Sequence, residues 1–286
     1  MRLAAIVVLL AALCGSLSAE PWSKSLNTDF TLTQNAYSDS WTGGEAGTIS
    51  WVWNAIGLFE KQFAPRFKYR NNSKLSFGQT HIQNKETKEW APPQKSTDLI
   101  DIENLGLLTL RSFIQPYVGL RFESQFLDAS VPQINRYLSP MKFTESAGGA
   151  REFFKTDKNQ LLSRLGFALR QISTEIVVDT ALEETERENT NDGGIESVTD
   201  LKLTVSENLT YISKLSLFQA LYFSESDTAS NDFWKAIDVN WENSLAAKVH
   251  KFVTVSMYTQ LLYDKQIDKR GRFKETLALS LTYSLF

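Results

Sequence analysis

The chain has 286 residues, of which 42% are apolar, and this composition excludes an intrinsically disordered chain while permitting one large domain or two smaller ones. The net charge is −3, from 30 lysine and arginine residues against 33 aspartate and glutamate residues, and the sequence has no long basic run. A nucleic-acid-binding protein, which needs a basic surface, is therefore excluded. Cys14 is the single cysteine, so disulfide bonds and thiolate metal sites are not expected.

The first segment has the pattern of a secretory signal peptide. Arg2 precedes an apolar stretch over residues 3–14, and small residues follow it up to Ala19. This stretch of about a dozen residues is too short for a spanning helix, which needs roughly 20. A lipid anchor on Cys14 is the alternative, but the bulky Leu13 in front of it disfavours that modification. We therefore expect residues 1–19 to be removed and the mature chain to be exported.

A two-residue hydrophobic period dominates the chain after the signal peptide. In segment 274–285, for example, Leu277, Leu279 and Leu281 lie on one face of the predicted strand and Ser280 lies on the other. The segments predicted to be strands are 26–34, 48–58, 66–80, 99–110, 117–126, 163–172, 175–183, 198–206, 211–223, 233–245, 249–263 and 274–285. An even number of strands of about 10 residues each is what a closed antiparallel barrel in an outer membrane requires.

The predicted links between these strands alternate between long and short. The long links are 35–47, 81–98, 127–162, 184–197, 224–232 and 264–272, and the short ones are 60–65, 111–116, a reversal near Ser173, 207–208 and 246–248. Outer-membrane barrels show this asymmetry because their periplasmic turns are short and their outer loops are long. The predicted fold class of residues 20–286 is therefore all-β: one closed antiparallel transmembrane β-barrel of about 12 strands, with both termini in the periplasm.

A secreted β-sandwich is the alternative, because its strands also alternate and its core would hold the same apolar residues. Two features favour the barrel. The twelve predicted strands follow one another without a helix, and aromatic residues such as Trp51, Tyr211 and Phe273 lie near predicted strand ends. In a membrane barrel these aromatic side chains would form a girdle at the lipid headgroups.

Five stretches in the first half of the chain carry a family resemblance. They are 30–34, the WTGG string at 41–44, 48–54, the LSFGQT string at 75–80, and 96–103. Over roughly residues 25–130 the chain resembles an uncharacterised domain-of-unknown-function family of predicted outer-membrane β-barrels from Gram-negative bacteria. The resemblance implies a barrel in the outer membrane, with no activity, cofactor or catalytic residue. It marks only Trp41, Gly43 and Gly44, whose expected role is a loop corner, because glycine accepts positive φ.

If the apolar phase of each strand faces lipid, the other phase turns charged residues into the lumen. A charge facing hydrocarbon would cost about 2 to 4 kcal/mol at the bilayer midplane, so the charges fix the orientation of each strand. The candidate lumen-lining residues are Asp29, Lys74, Asp101, Glu103, Arg121, Glu123, Arg164, Arg170, Asp179, Asp200, Lys202, Lys214, Asp238 and Glu242. These side chains line a narrow water path, or they pair across the interior and close it.

The function predicted from these features is a narrow passive channel for small polar solutes in the bacterial outer membrane. A closed barrel that serves as a scaffold for a surface partner is the first alternative, and an interfacial hydrolase centred on His81 is the second. The residues two positions from His81 are Gln79 and Gln83, neither of them a nucleophile, so no enzyme activity is expected.

No cofactor and no metal site are expected. The glycine pairs of the chain lie in predicted loops that no helix follows, and the acidic run at 183–192 lacks the spacing of a calcium loop. The expected partners are outer-membrane lipid and, during biogenesis, the barrel assembly machinery. The sequence leaves the solute and the oligomeric state open.

Overall fold

Long strands that are hydrogen-bonded on both edges make up most of the structure. The computed structural model describes residues 21–38, 45–110, 112–131, 134–156, 158–181, 183–227 and 231–285. The strands in chain order are β1 (Ser23–Asn35), β2 (Thr48–Ala64), β3 (Phe67–Ile82), β4 (Gln94–Leu108), β5 (Gln115–Ser124), β6 (Leu127–Val131), β7 (Ile134–Tyr137), β8 (Met141–Lys155), β9 (Gln160–Asp179), β10 (Glu184–Ser206), β11 (Leu209–Phe223), β12 (Ile237–His250), β13 (Val253–Tyr263) and β14 (Arg272–Ser284). A 3-10 turn at Phe233–Lys235 precedes β12. Within the described ranges, no helix has the length and apolar character needed to span a membrane.

Twelve of the described strands form a closed antiparallel barrel. The order around the barrel is β1, β14, β13, β12, β11, β10, β9, β8, β5, β4, β3 and β2, and β2 pairs with β1 again. Strands β6 and β7 form a separate hairpin between β5 and β8. The predicted fold class and strand number are therefore confirmed.

The two ends of the barrel differ. The links β2–β3, β4–β5, β8–β9, β10–β11 and β12–β13 are short and lie at the end where β1 begins and β14 ends, which we call the turn end. The other five links and the β9–β10 turn lie at the opposite end, the loop end. That the turn end faces the periplasm stays a prediction.

The strand number is correct because two errors in the predicted strands cancel. Strand β8 lies within the segment predicted as the longest loop, so one strand is missing from the prediction. Strand β9 continues without reversal through Ser173, so the prediction splits one strand into two. The predicted loop at 184–197 is also wrong, because these residues belong to β10 and pair with β9 in a long hairpin.

The faces of the barrel have opposite polarity. On β14 the outward Leu277 is 73% exposed and Leu281 is 64% exposed, whereas the inward Ser280 is 4% exposed. In a β-sandwich these apolar side chains would be packed between two sheets. A closed barrel with an apolar outer wall and a polar interior has the polarity that a lipid bilayer requires.

An apolar layer fills part of the interior between the charged middle of the barrel and the turn end. It consists of Leu105, Leu107, Tyr117, Ala150 and Leu162. Tyr117 lies opposite Gly148 in the β5–β8 register, and Gly148 lies opposite Gly166 on β9. A Cβ atom on Gly166 would lie 2.7 Å from the Tyr117 hydroxyl oxygen and 2.3 Å from a backbone oxygen. The two glycines therefore provide the space in which the Tyr117 ring lies.

The seam between β1 and β14 has the shortest backbone pairing of the barrel. It runs over four positions, from Asn27 opposite Ser284 to Phe30 opposite Leu281. Side chains extend it on the inner face, where the hydroxyl oxygens of Thr31 and Ser280 lie 2.7 Å apart. The wall next to this seam is therefore held by short polar side chains as well as by the strand ladder.

Candidate functional site in the barrel interior

Ionised side chains from eight strands, β3, β4, β5, β8, β9, β10, β11 and β12, meet in the middle of the barrel. We call this group the central ion network; its members are Lys74, Asp101, Glu103, Arg121, Glu123, Lys142, Arg164, Asp200, Lys214 and Glu242. They point inward because each lies in the strand phase opposite to the outward apolar residues. A charge buried in this way is retained only when partners neutralise it and bond to it.

One part of the network follows the wall formed by β4, β5 and β8. Arg121 forms a bidentate salt bridge with Asp101, with Nε at 2.8 Å and Nη2 at 3.0 Å from the carboxylate oxygens. The same guanidinium lies 3.1 Å from Glu123, and Lys142 lies 3.3 Å from Glu123 on the other side. The planar guanidinium matches a carboxylate in this geometry, so the contact fixes both side chains.

Glu103 lies between two cations, one from β9 and one from the nearly opposite strand β11. Arg164 on β9 donates from Nη2 to Glu103 Oε1 at 2.6 Å, and Lys214 on β11 donates to Glu103 Oε2 at 3.2 Å. Arg164 is 3% exposed and Lys214 is 4% exposed. Strands β4 and β11 are nearly opposite in the barrel, with four strands between them on one side and six on the other. Glu103 therefore ties the two walls together across the lumen.

A second contact crosses the lumen nearby. The Lys74 ammonium on β3 donates to Glu242 Oε2 on β12 at 2.8 Å, and the Tyr258 hydroxyl donates to the same oxygen at 3.4 Å. Strands β3 and β12 also have four strands between them on one side and six on the other. We call the Lys74–Glu242 contact the lumen bridge, because it spans the interior between two distant walls.

A smaller group lies nearer the loop end. Arg170 forms a bidentate salt bridge with Asp192, with Nε at 2.7 Å and Nη2 at 2.8 Å from the carboxylate oxygens, and its Nη1 donates to Asp238 at 2.9 Å. The guanidinium carbon lies 3.5 Å from the centre of the Phe218 ring. One cation is thus held by two carboxylates and an aromatic face, which fixes its position above the central ion network.

At the turn end, charges line a cavity of about 300 Å³. Lys155 on β8 lies 2.7 Å from Glu60 on β2, with three strands between them along the shorter way around the barrel. Lys68 lies 3.6 Å from the same carboxylate and 3.8 Å from Glu152. The lumen is therefore crossed by an ion pair at this mouth as well.

The β6–β7 hairpin is tied to the rim of the barrel at the loop end. Both carboxylate oxygens of Asp98 on β4 accept backbone N–H groups at the start of the hairpin, from Phe126 at 2.7 Å and Leu127 at 2.9 Å. Arg136 in the hairpin lies 2.8 Å from Asp128 and donates to the carbonyl of Glu175 on β9 at 2.6 Å. These contacts hold the hairpin against the two neighbouring walls.

Replacing Asp98 with alanine is expected to loosen this hairpin while the barrel stays folded. Two partly buried N–H groups would lose their acceptor, and about 1 to 3 kcal/mol for each fully buried unsatisfied group is the upper limit of the cost. We expect tryptic cleavage after Arg136 to become faster by on the order of tenfold, because local opening limits cleavage of a protected segment. Replacing Asp268, which lies in the exposed β13–β14 loop, is the matched control and is expected to leave Arg136 protected. Unchanged cleavage in the Asp98 variant would contradict the role given to this carboxylate.

The structure brings together many of the residues that the strand phase singles out. Ten of the candidate lumen-lining residues belong to the contacts described above: Lys74, Asp101, Glu103, Arg121, Glu123, Arg164, Arg170, Lys214, Asp238 and Glu242. Asp200 also points inward and lies 3.7 Å from Arg164. Asp29 points inward and accepts a hydrogen bond from Asn54 at 2.9 Å. Lys202 has the inward phase but is exposed near the turn end.

Asp179 needs a correction. It is the last residue of β9 and lies beside the β9–β10 turn, where it accepts the N–H of Ala181 at 2.7 Å. A register shift separates the pairs Asp179–Glu184 and Val177–Thr185, so the strand phase counted along β9 does not extend to Asp179. The structure places this carboxylate at the β9–β10 turn, outside the interior ion pairs described above.

Some interior residues were missed by the sequence analysis. Lys142, Lys155 and Asp192 lie in segments that were predicted to be loops. A signal for Asp192 exists, since it lies an even number of residues before Asp200 and so shares its strand phase. His81 lies near the loop end of β3, opposite Ile49 in the ladder, and none of the side-chain hydrogen bonds found in the described ranges involves its imidazole. Trp41, Gly43 and Gly44 lie outside the described residues.

A family model matches part of the chain. Residues 32–129 match the family described as "Protein of unknown function (DUF3078)". The resemblance to an uncharacterised family that the sequence motifs suggest is therefore confirmed over this part of the chain. No curated protein matches the chain.

The chain is also similar to solved structures. An outer membrane channel from Pseudomonas putida F1 has 13% identity and a TM-score of 0.44, over 94% of this chain and 97% of that chain. The translocator domain of the autotransporter NalP from Neisseria meningitidis has 8% identity and a TM-score of 0.36, over 99% and 95% of the two chains. The beta domain of the Bordetella autotransporter BrkA has 9% identity and a TM-score of 0.33, over 93% and 97%.

Proposed function

We propose that this protein is an outer-membrane β-barrel that passes small polar solutes through a narrow, charge-lined lumen. The observation that carries the proposal is the polarity of the two faces. Paired charges such as those of Glu103 and Arg164 lie inside, and large apolar side chains such as Leu277 lie on the outer wall. A barrel with this polarity is stable in hydrocarbon and keeps water-compatible groups along its axis.

Aromatic residues on the outer wall support a membrane location. At the turn end, Trp22 contacts Phe63 with ring centres 5.6 Å apart, and Phe63 contacts Phe67 at 6.4 Å. At the loop end, Trp51 contacts Phe77 at 5.8 Å. Phe67 and Phe77 both face outward on β3, ten residues apart. With a rise of roughly 3.4 Å per residue and a tilt of about 40°, the two belts are separated by about 26 Å, close to the height of an outer-membrane apolar band.

Outward polar side chains between these belts bond to one another. Asn104 Oδ1 accepts the Tyr69 hydroxyl at 2.6 Å and the Asn71 amide at 3.0 Å. On another part of the wall, the Trp241 indole donates to Ser213 Oγ at 3.1 Å. Polar groups that face hydrocarbon need such partners, because no water is present to bond to them.

Export and insertion complete this proposal. The predicted signal peptide at 1–19 would direct the chain across the inner membrane, and the barrel assembly machinery would insert it into the outer membrane. The proposed transport is passive, so it includes no catalytic step and no cofactor.

A closed scaffold is the second candidate, and one observation favours it. The lumen bridge and the Glu103–Lys214 contact join nearly opposite walls directly, at 2.8 and 3.2 Å. If these contacts and the apolar layer fill the whole cross-section, the barrel carries no current and serves to present its loops.

Conductance separates the two candidates. The chain would be expressed with its leader, and its fractionation and heat-modifiable migration on a denaturing gel would test for a folded barrel in the outer membrane. The purified barrel would then be inserted into planar lipid bilayers in KCl. Discrete current steps are expected from a channel, whereas folded and inserted protein without current would overturn the channel and leave the scaffold.

A further inference from the structure

The lumen bridge divides the strands of the barrel into two unequal groups. On one side of the Lys74–Glu242 contact lie β2, β1, β14 and β13, which we call the four-strand sector. On the other side lie β4, β5, β8, β9, β10 and β11, which we call the six-strand sector. The interior surfaces of the two sectors differ in packing and in charge.

The six-strand sector is packed. Inward residues in its middle are almost fully covered; examples are Leu162 at 1%, Ala168 at 0% and Val198 at 2% exposure. The long side chains of Arg121, Arg164 and Lys214 extend from its wall and meet carboxylates there. Inward side chains nearer the turn end, such as Ile212 and Lys202, are exposed, so the packing of this sector lies in its middle.

Short polar side chains line part of the four-strand sector, beside larger inward residues such as Ile56 and Tyr258. A hydrogen-bonded strip crosses it, in which Ser76 donates to Asn54 at 2.5 Å, Asn54 donates to Asp29 at 2.9 Å, and Thr31 and Ser280 lie 2.7 Å apart. These side chains lie against the wall and bond along it rather than across the lumen. Hydroxyl and amide groups arranged in this way offer hydrogen bonds to water and to a passing solute.

Exposure shows that this sector holds open space. Ile56 lies directly opposite Lys74 in the β2–β3 register and therefore points inward near mid-barrel, yet it is 46% exposed. Thr276 on β14 also points inward and is exposed. An inward side chain with this accessibility borders a solvent-filled space rather than a packed core.

Asp29 is the carboxylate in the middle of the four-strand sector. Its partners are Asn54 and Ser280, and among the described residues no ion pair joins it to a cation. The other inward charges of this sector lie near its ends. Arg272 and Lys274 lie at the loop end, where Lys274 donates to Thr97 at 3.3 Å, and Glu60 at the turn end is paired with Lys155.

We infer that solutes pass through the four-strand sector, alongside the lumen bridge, and that Asp29 makes this path prefer small cations over anions. The preference follows because a carboxylate without a counter-charge, partly removed from solvent, acts on a passing ion more strongly than the solvent-exposed Lys274 at the mouth. This inference rests on the proposed channel function, but the location of the path can be tested without any current.

Cysteine labelling tests the location. In a Cys14→Ser background the chain has no other cysteine, so single cysteines can be placed at will. Ile56→Cys and Thr276→Cys probe the four-strand sector, and Ala168→Cys and Val198→Cys are matched controls in the six-strand sector. With a charged, membrane-impermeant methanethiosulfonate reagent and folded barrels, we expect labelling of the first pair to be faster by on the order of tenfold or more, because the second pair lies in packed interior. Equal rates, or faster labelling of the control pair, would overturn the proposed path whether or not the barrel conducts.

Ion selectivity tests the role of Asp29. In a KCl gradient across a planar bilayer, Asp29→Asn is expected to lower the potassium-to-chloride permeability ratio by at least about twofold, and Lys274→Met is expected to raise it. Asp179→Asn, at the β9–β10 turn of the six-strand sector, is the matched control and is expected to leave the ratio unchanged. A ratio that responds to Asp179→Asn and not to Asp29→Asn would overturn the assignment. A barrel that labels as expected but carries no current would contradict the channel and leave the open sector intact.

Discussion

Replacing Glu103 with alanine is expected to destabilise the folded barrel by about 3 to 5 kcal/mol, the range found when one partner of a buried ion pair is removed. Glu103 is the common acceptor of Arg164 at 2.6 Å and Lys214 at 3.2 Å. Both cations are almost fully covered, so each would lose its nearest counter-charge in a place that water reaches poorly. The Coulomb repulsion between the two cations would add to this cost.

Urea unfolding of the barrel in detergent measures the effect, with heat-modifiable migration as the test of folding. Glu152→Ala is the matched control, because Glu152 lies at the turn end, 3.8 Å from Lys68 and partly exposed. Its removal is expected to cost about 1 kcal/mol or less, as for other solvated pairs. If the two variants lose equal stability, the interior charges do not hold the walls together as described.

A triple variant keeps this prediction testable if Glu103→Ala does not fold. Replacing Glu103 with leucine and both Arg164 and Lys214 with methionine removes the charges together and fills a similar volume. Such apolar replacements of buried ion groups are often neutral or stabilising. The triple variant is therefore expected to fold better than Glu103→Ala. Equal loss in both would show that the shape of these side chains, and not their charge balance, stabilises the interior.

The strands that the sequence predicts well are those whose two faces meet different surroundings. Strand β14 alternates without a fault, because Leu277, Leu279 and Leu281 face outward and short polar residues face inward. Strand β8 lacks this contrast. Its outward face carries Glu145, Gly149 and Arg151 among larger apolar residues, so hydrophobic periodicity is weak and the sequence predicts a loop there.

The β9–β10 hairpin is a second case in which hydrophobic periodicity does not predict a strand. Near the turn that joins them, Glu184, Glu186 and Glu188 alternate with polar residues, and most of this segment is exposed on both faces. A strand that meets water on both faces needs no apolar side, so its sequence looks like a polar loop. The backbone ladder with β9, which begins opposite Asp179, makes it a strand.

The interior charges could be predicted from strand phase, but their partners could not. Lys74 and Glu242 are 168 residues apart, and Lys214 and Glu103 are 111 residues apart. Two charges meet across the lumen only if they lie at the same height in the barrel, and their heights depend on the sum of the register offsets between all the strands that separate them. A local sequence pattern does not contain this sum. Strand phase also gives no orientation where a register shift interrupts the strand, as it does beside Asp179.

Removing the lumen bridge is expected to raise the conductance of the barrel by roughly twofold or more, because the cross-section of a small barrel is set by the side chains that fill it. The variant replaces Lys74 and Glu242 with serine together, so that neither charge is left without its partner. At this height the four-strand sector would gain the space that the two long side chains occupy, and Tyr258 would lose the carboxylate to which it donates at 3.4 Å.

Single-channel recording in planar bilayers measures this change. The matched control replaces Glu123 and Lys142 with serine, since this pair is 3.3 Å apart on the adjacent strands β5 and β8 and does not span the lumen. We expect the control to conduct like the unaltered protein. An increase of equal size in both variants would mean that general loosening, and not loss of the bridge, enlarges the path.

The same variant also locates the barrier if the unaltered barrel is closed. If the unaltered barrel is silent and the Lys74→Ser, Glu242→Ser variant conducts, the barrel is a closed scaffold whose lumen is blocked by the contact at 2.8 Å. If both are silent although folded, the barrier lies elsewhere, and the apolar layer around Leu105 and Tyr117 is the next segment of the lumen to test. If the variant carries more current but its potassium-to-chloride permeability ratio is unchanged, the bridge and Asp29 have separate roles. The bridge then limits the width of the path, and Asp29 sets its ion preference.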